Sequence, residues 1–181
     1  MSNSSEVKQL VNVGIIAAFA TLAFVGTTII RIPIPATGGY FNLGDTFVMI
    51  AALLYGPIIG GLVGFIGPAL ADAIGFPQFI LATAVVKGLE GLVVGAIGGR
   101  TQKTHPGRPV LALVIGIAIL VSGYFIFEAF IYPLLAKTIP FFKVTDLKAA
   151  IAEILPNLLQ GIISAVIAFG IWRVFRRKGE P

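Results

Sequence analysis

From Leu10 to Ile30 the chain runs without a charged side chain, and comparable runs recur at Pro57–Ala71, Val110–Phe127 and Pro156–Ile171. A helix needs about 20 mostly apolar residues to cross a hydrocarbon core of about 30 Å. Backbone groups in lipid must be satisfied within the chain, so long apolar runs of this kind fold as helices. Composition agrees: 57% of residues are hydrophobic and 12% charged, against roughly 45–50% and 25% in soluble domains. Mean hydropathy is +0.98. The sequence therefore predicts an all-α membrane protein. With 181 residues it has room for roughly six spans of about 20, a single domain over residues 1–181.

Cysteine is absent, which excludes disulfides, iron–sulfur ligation and a thiol nucleophile. The one histidine, His105, stands in a polar loop, so no zinc cluster and no cofactor is expected. The net charge of +5 lies mostly in loops and the tail, where topology explains it without nucleic acid. The run Leu10–Ile30 is too long for a signal-peptide core and reads as a retained first helix.

The pattern predicts helices over about Val7–Ile30, Asp45–Tyr55, Pro57–Ile74, Gln78–Gly99, Val110–Leu135 and Pro156–Phe175. Arg31–Pro35 ends the first helix, because proline disfavours continuation. Ala36–Gly44 reads as a loop rich in turn formers. Ala136–Val144 connects the last two spans, and Thr145-Asp146 would cap a short helix leading to Pro156. Basic residues set the orientation. With the N-terminus inside, Lys8, Arg100, Lys103, Arg108, Arg173, Arg176, Arg177 and Lys178 fall on the cytoplasmic side. Only Arg31, Lys137, Lys143 and Lys148 fall outside. Both termini are thus expected in the cytoplasm.

Lys87 lies about mid-way along the fourth run, where a charge costs roughly 3 kcal/mol or more. Glu90 is about 60° from it on one helical face, so the two can pair. Asp45, Asp72, Glu128 and Glu153 sit in or beside other spans, and Asn157 and Gln160 open the last one. Apart from Lys87 and Glu90 these groups lie in the outer half, which predicts an outward-facing polar pocket rather than a through-going pore. Caps at helix ends are the plainer reading of Asp45 and Glu153. Five acids, Asp45, Asp72, Glu90, Glu128 and Glu153, face one base, Lys87. Such a site repels a dianion and suits a neutral or cationic heterocycle. Tyr40, Phe41, Phe76, Phe79, Tyr124 and Tyr132 map to the same region and can stack on a flat ring; an ordinary aromatic belt accounts for them equally well.

Small residues mark close helix contacts. Gly56, Gly60 and Gly64, with Ala84, Gly88, Gly91, Gly95 and Gly98, read as internal packing. Gly14, Ala17, Ala18 and Thr21 form a small face that is either internal or a dock for another membrane subunit. No phosphate-binding loop, nucleophile elbow or metalloprotease motif appears, and Ser122 and Ser164 have no histidine base within a span. The chain is not expected to be an enzyme.

Gly39–Asp45, Leu54–Gly67, Ala71-Asp72 and Val86–Leu92 resemble the substrate-binding S components of energy-coupling factor (ECF) vitamin transporters, in the riboflavin-transporter-like branch with hydroxymethylpyrimidine and pyridoxine-type members. The likeness is strongest over residues 39–99, and Leu155–Gln160 extends it. It implies a six-helix membrane protein that captures a vitamin from outside, in the plasma membrane of a prokaryote. The loop after the first helix would cover the site and helices four to six would line it, which points to Tyr40, Phe41, Asn42, Lys87, Glu90, Glu128, Asn157 and Gln160. Asp72 and Tyr124 join them on position. Gly14, Ala17, Ala18 and Thr21 occupy the place of the family's docking motif for a transmembrane coupling subunit. Two cytoplasmic ATPases would supply the energy. The rival readings are a stand-alone ion-coupled carrier or channel, with Asp72, Glu128 or the Lys87–Glu90 pair as relay, and an intramembrane enzyme. The missing inner-half polar groups speak against the first, and the missing base–nucleophile set against the second.

Overall fold

A computed structural model describes residues 3–35, 38–99, 107–139 and 146–178. Arg100, Lys103, His105, Pro140, Lys143 and Thr145, which entered the sequence reading, lie outside them. Six helices form one bundle: α1 (Asn3–Ile29), α2 (Gly44–Tyr55), α3 (Pro57–Gly75), α4 (Ile80–Gly98), α5 (Arg108–Leu135) and α6 (Leu147–Lys178). A single 3-10 turn, Pro77–Phe79, leads into α4. Among the described residues five helices are long and apolar enough to cross a membrane. The sixth, α2, has 12 residues. At about 1.5 Å per residue it is shorter than the hydrocarbon core.

Close contacts fix the directions. The start of α2 packs on the end of α1, where Leu43 N–H donates to the Gly26 carbonyl. The end of α4 meets the start of α3, since a methyl at Gly95 would strike Gly56 and Pro57. The α4 end also meets the start of α5 through Gly98 and Ala112. So α1, α3 and α5 run one way and α2, α4 and α6 the other, with the first and last described residues at the same end of the bundle.

Three apolar clusters make the core. Met49, Leu53, Val94, Ala112, Ala168 and Trp172 fill the end nearest the termini. Phe79, Val86, Leu120, Phe127 and Tyr132 fill the opposite end between α4 and α5. Ala23, Val48 and Val63 join α1, α2 and α3. The glycines read as internal packing lie between α3 and α4: a methyl at Gly64 would overlap the Lys87 carbonyl, and one at Gly91 the Gly60 carbonyl. Gly56 turns the chain between α2 and α3 at φ 91°, which side chains rarely adopt.

Two sequence expectations are corrected. The segment after α1 is not a plain loop: β1 (Ile32–Ile34) and β2 (Gly39–Phe41) pair antiparallel, with Pro33 opposite Tyr40. Gly38 at φ 72° supplies the turn, and its N–H donates to the Ile34 carbonyl. Pro33 can sit there because an edge position asks no N–H of it. The chain also does not break before Pro156: α6 runs unbroken through it. Membrane helices accept an interior proline where neighbours satisfy the freed carbonyl. Asp146 does cap this helix, accepting from the Ala149 N–H at 2.7 Å. Within α5 the turn Phe127–Ile131 widens to π geometry.

The close approach of α3 and α4 gives a prediction. Gly64→Ala lowers stability in detergent by about 1–3 kcal/mol, the usual cost of overpacking. Gly14→Ala, where a methyl meets nothing within 4 Å, raises it by about 0.5–1 kcal/mol. Thermal unfolding of the two variants checks this; equal midpoints would refute it.

Candidate ligand-binding site

Under the hairpin lies a polar cavity of about 30 Å³, room for one or two waters. Every helix but α2 contributes to its lining, through Thr27, Pro68 and Asp72, Thr83 and Lys87, Tyr124 and Glu128, and Glu153, Asn157 and Gln160. Gly39, Tyr40 and Asn42 cover it, and Phe79 stands at its edge.

The floor is an ion pair. Lys87, 1% exposed, pairs directly with Asp45 of α2, and the Glu90 carboxylate is 3.9 Å from its ammonium. The second Asp45 oxygen accepts from the Gln160 amide at 2.7 Å, and the Gln160 carbonyl oxygen accepts from the Asn42 N–H at 2.7 Å. One polar chain thus ties α4, α2, α6 and the hairpin's exit. The Asn42 side chain in turn accepts from the Gly44 N–H at 2.9 Å, which orients the start of α2. The Lys87 ammonium also lies 5.3 Å from the Tyr124 ring centroid, within cation–π range. Tyr124 and Thr83 hydroxyls meet at 2.8 Å.

The cover is held separately. The Tyr40 hydroxyl donates to Asp72. Burial, and then the Asp72 carboxylate, push the Tyr40 phenol above its ordinary range, so it stays a donor. Its ring lies on Phe76 with centroids 4.3 Å apart. The Arg31 guanidinium reaches both rings, at 5.2 and 5.3 Å, and donates to the Ala71 carbonyl at 2.8 Å. On the far wall the Glu128 and Glu153 carboxyls meet, and the Asn157 amide donates to Glu153 at 3.4 Å.

Of the residues singled out from sequence, Tyr40, Asn42, Asp72, Lys87, Tyr124, Glu128, Asn157 and Gln160 line this cavity. Phe41 does not; it faces Ile32 across the hairpin. Glu90 does not either, lying fully buried beneath the lining beside Met49 and Gly116. Asp45 is no helix-end cap at the interface but the partner of Lys87. Thr27, Gly39, Pro68 and Thr83 were missed. Thr83 had a signal, being one turn before Lys87 on the same face; Thr27 and Pro68 had none. The small face Gly14, Ala17, Ala18, Thr21 is exposed along α1.

A bundle of apolar helices with a buried polar cavity at one end is the architecture of a multi-pass membrane protein. Residues 4–177 match the family described as ECF-type riboflavin transporter, S component, and the chain belongs to that family. A protein of Pyrococcus woesei, described as uncharacterized, is 36% identical over 87% of this chain and 96% of its own length. UPF0397 proteins of Exiguobacterium sp. and Clostridium perfringens are 31% and 35% identical. The chain spans 60% and 55% of their lengths, and they cover 62% and 58% of it. The fold matches the solved structure reported as "Structure and mechanism of the S component of a bacterial ECF transporter", with a TM-score of 0.71 at 17% identity, over 96% of this chain and 99% of that one. The chain is accordingly a substrate-binding transporter subunit, not an enzyme.

The floor makes a prediction about stability rather than binding. Lys87→Met strands two buried carboxylates and lowers stability by about 3–5 kcal/mol. Asp45→Leu added to it recovers part of the loss. Thermal midpoints of the single and double variants decide; a double variant weaker than Lys87→Met alone would refute the pair.

Proposed function

We propose that this chain captures a B-vitamin or vitamin precursor from outside the cell and delivers it to an ATPase-driven coupling module. The candidate ligands are neutral or cationic heterocycles: hydroxymethylpyrimidine, a pyridoxine-type ring, thiamine or riboflavin. The observation that carries this reading is the polar cavity beneath the hairpin. Because Asp45 already neutralises Lys87, the polarity of the cavity is set by the acidic side chains of Asp72, Glu128 and Glu153 that line it. A dianion meets repulsion there; ring N–H groups and positive charge meet acceptors. Tyr40, Tyr124 and Phe79 supply flat faces for a ring.

At about 30 Å³ the cavity is shut. A vitamin enters only when the hairpin lifts, which means releasing Tyr40 from Asp72 and Asn42 from Gln160. These contacts act as a latch, remade around the ligand. With the termini on the cytoplasmic side, as the basic residues direct, the hairpin faces outward. The setting is the plasma membrane of a prokaryote.

The exposed small face on α1 is the proposed dock for a transmembrane coupling subunit, with two cytoplasmic ATPases behind it. Close backbone approach over such a face is how helices associate in lipid. Ala18→Trp is expected to spare ligand binding and block assembly with that subunit; a complex of normal yield would remove the assignment.

Native mass spectrometry of the purified protein tests the ligand. A neutral or cationic heterocycle is expected to copurify, and a dianionic ligand would overturn the charge argument. Glu128→Gln is expected to weaken its binding about tenfold or more, the cost of a lost charged hydrogen bond. Uptake by liposomes holding this chain alone, abolished by an uncoupler, would favour an ion-coupled carrier instead.

A further inference from the structure

Glu128 reaches the cavity from a turn that is not α-helical. Between Phe127 and Ile131 the helix widens, and the Tyr132 N–H donates to the Phe127 carbonyl, five residues back instead of four. Pro133 follows at once. It has no N–H for the Ala129 carbonyl, and its ring crowds that oxygen, at a cost of about 3 kcal/mol in a regular α-helix. A turn wider by one residue relieves the crowding. Such turns recur at functional sites.

The consequence is rotational. At about 100° per residue, Tyr132 on an unbroken helix would lie about 120° around the axis from Leu120, and Leu134 only about 40° from it. Leu120 is fully buried, so an unbroken helix would turn Tyr132 outward and Leu134 inward. The structure shows the reverse: Tyr132 is 2% exposed and Leu134 64%. Absorbing one residue in the wide turn sets the phase back by about 100°, which brings Tyr132 to within about 20° of Leu120. Glu128, at the head of that turn, is fully buried against Glu153.

We propose that Pro133, which does not line the cavity, is a positioning residue: through the widened turn it aims Glu128 at Glu153 and keeps Tyr132 in the core. Its consequence for binding rests on the cavity being the ligand site; the rotation does not.

The chain has no cysteine, so single thiols report on facing. Leu134→Cys and Tyr132→Cys are made separately, each with Pro133 kept and with Pro133→Ala, and labelled with N-ethylmaleimide in detergent. With proline the thiol at 134 reacts faster; with alanine the order reverses. Pro133→Ala is the milder residue for a helix, so folding is retained. An order that stays the same overturns the proposal whatever the protein binds. Affinity is then read with whichever of riboflavin, thiamine and pyridoxine binds the native chain. Pro133→Ala weakens it as Glu128→Gln does, and the double variant loses no more than Glu128→Gln alone, the non-additivity expected of residues acting through one contact. Additive losses, or an unchanged affinity in Pro133→Ala where Glu128→Gln weakens binding, overturn the aiming of Glu128. If Glu128→Gln itself changes nothing, the ligand-site reading falls, while a reversed labelling order still supports Pro133 as the residue that sets the helix phase.

Discussion

The ion pair between Lys87 and Asp45 organises the half of this protein that lies beneath the hairpin. Neither charge survives alone in a hydrocarbon environment, where the desolvation cost exceeds what a surface pair could return. Each therefore dictates where its helix must lie. Lys87 brings α4 against α2. The free oxygen of Asp45 then needs a donor, and Gln160 supplies it. Gln160 leaves its carbonyl oxygen to accept from the backbone of Asn42. Four elements are thus located by one chain of polar contacts. The cavity is the space left above that chain, floored by side chains that are already satisfied.

That floor works only because α3 and α4 approach so closely. With Gly64 beneath the Lys87 carbonyl and Gly60 facing Gly91, the two helices touch backbone to backbone. In lipid no hydrophobic drive pulls helices together, so such contact comes from packing of small residues. The floor is consequently stiff, pinned by an ion pair and by glycine contacts at once. The cover is not pinned in that way. It rests on the Tyr40–Asp72 hydrogen bond, the Arg31 contacts to Tyr40 and Phe76, and one backbone bond at Asn42.

Local signals in the sequence were legible and distant ones were not. The spans follow from runs of apolar residues, the glycine faces from their three- and four-residue spacing, and the gathering of Asp72, Glu128 and Glu153 at one end of the bundle from depth along each run. Lys87 and Glu90 show as neighbours on one face because they are three residues apart. The closer partner, Asp45, is forty-two positions earlier, and no periodicity connects α2 to α4. The hairpin was hidden for a similar reason: Ile32-Pro-Ile34 is short and contains a proline, so it reads as a helix stop. Pro156 misled in the opposite sense, since a proline that breaks a soluble helix is retained within α6. At Pro133 the same residue type leaves the helix continuous but changes its phase. The sequence places Tyr124, Glu128 and Tyr132 on one drifting stripe, and the drift is what the wide turn corrects.

The division between a stiff floor and a lightly held cover bears on how one small bundle can bind and release. Admitting a ligand need not disturb Lys87, Asp45 or the glycine contacts. It need disturb only contacts between the hairpin and the helix ends, each of which is worth about 1 kcal/mol or a little more when a charged group takes part. In the proposed mode of binding, a ligand that offers donors to Asp72, Glu128 and Asn157 would replace the Tyr40–Asp72 bond with its own. The hairpin would then close on a filled site at little net expense. On that reading Asp72, Glu128 and Asn157 are the contacts a ligand would take up, while Lys87 lines the same cavity already paired with Asp45.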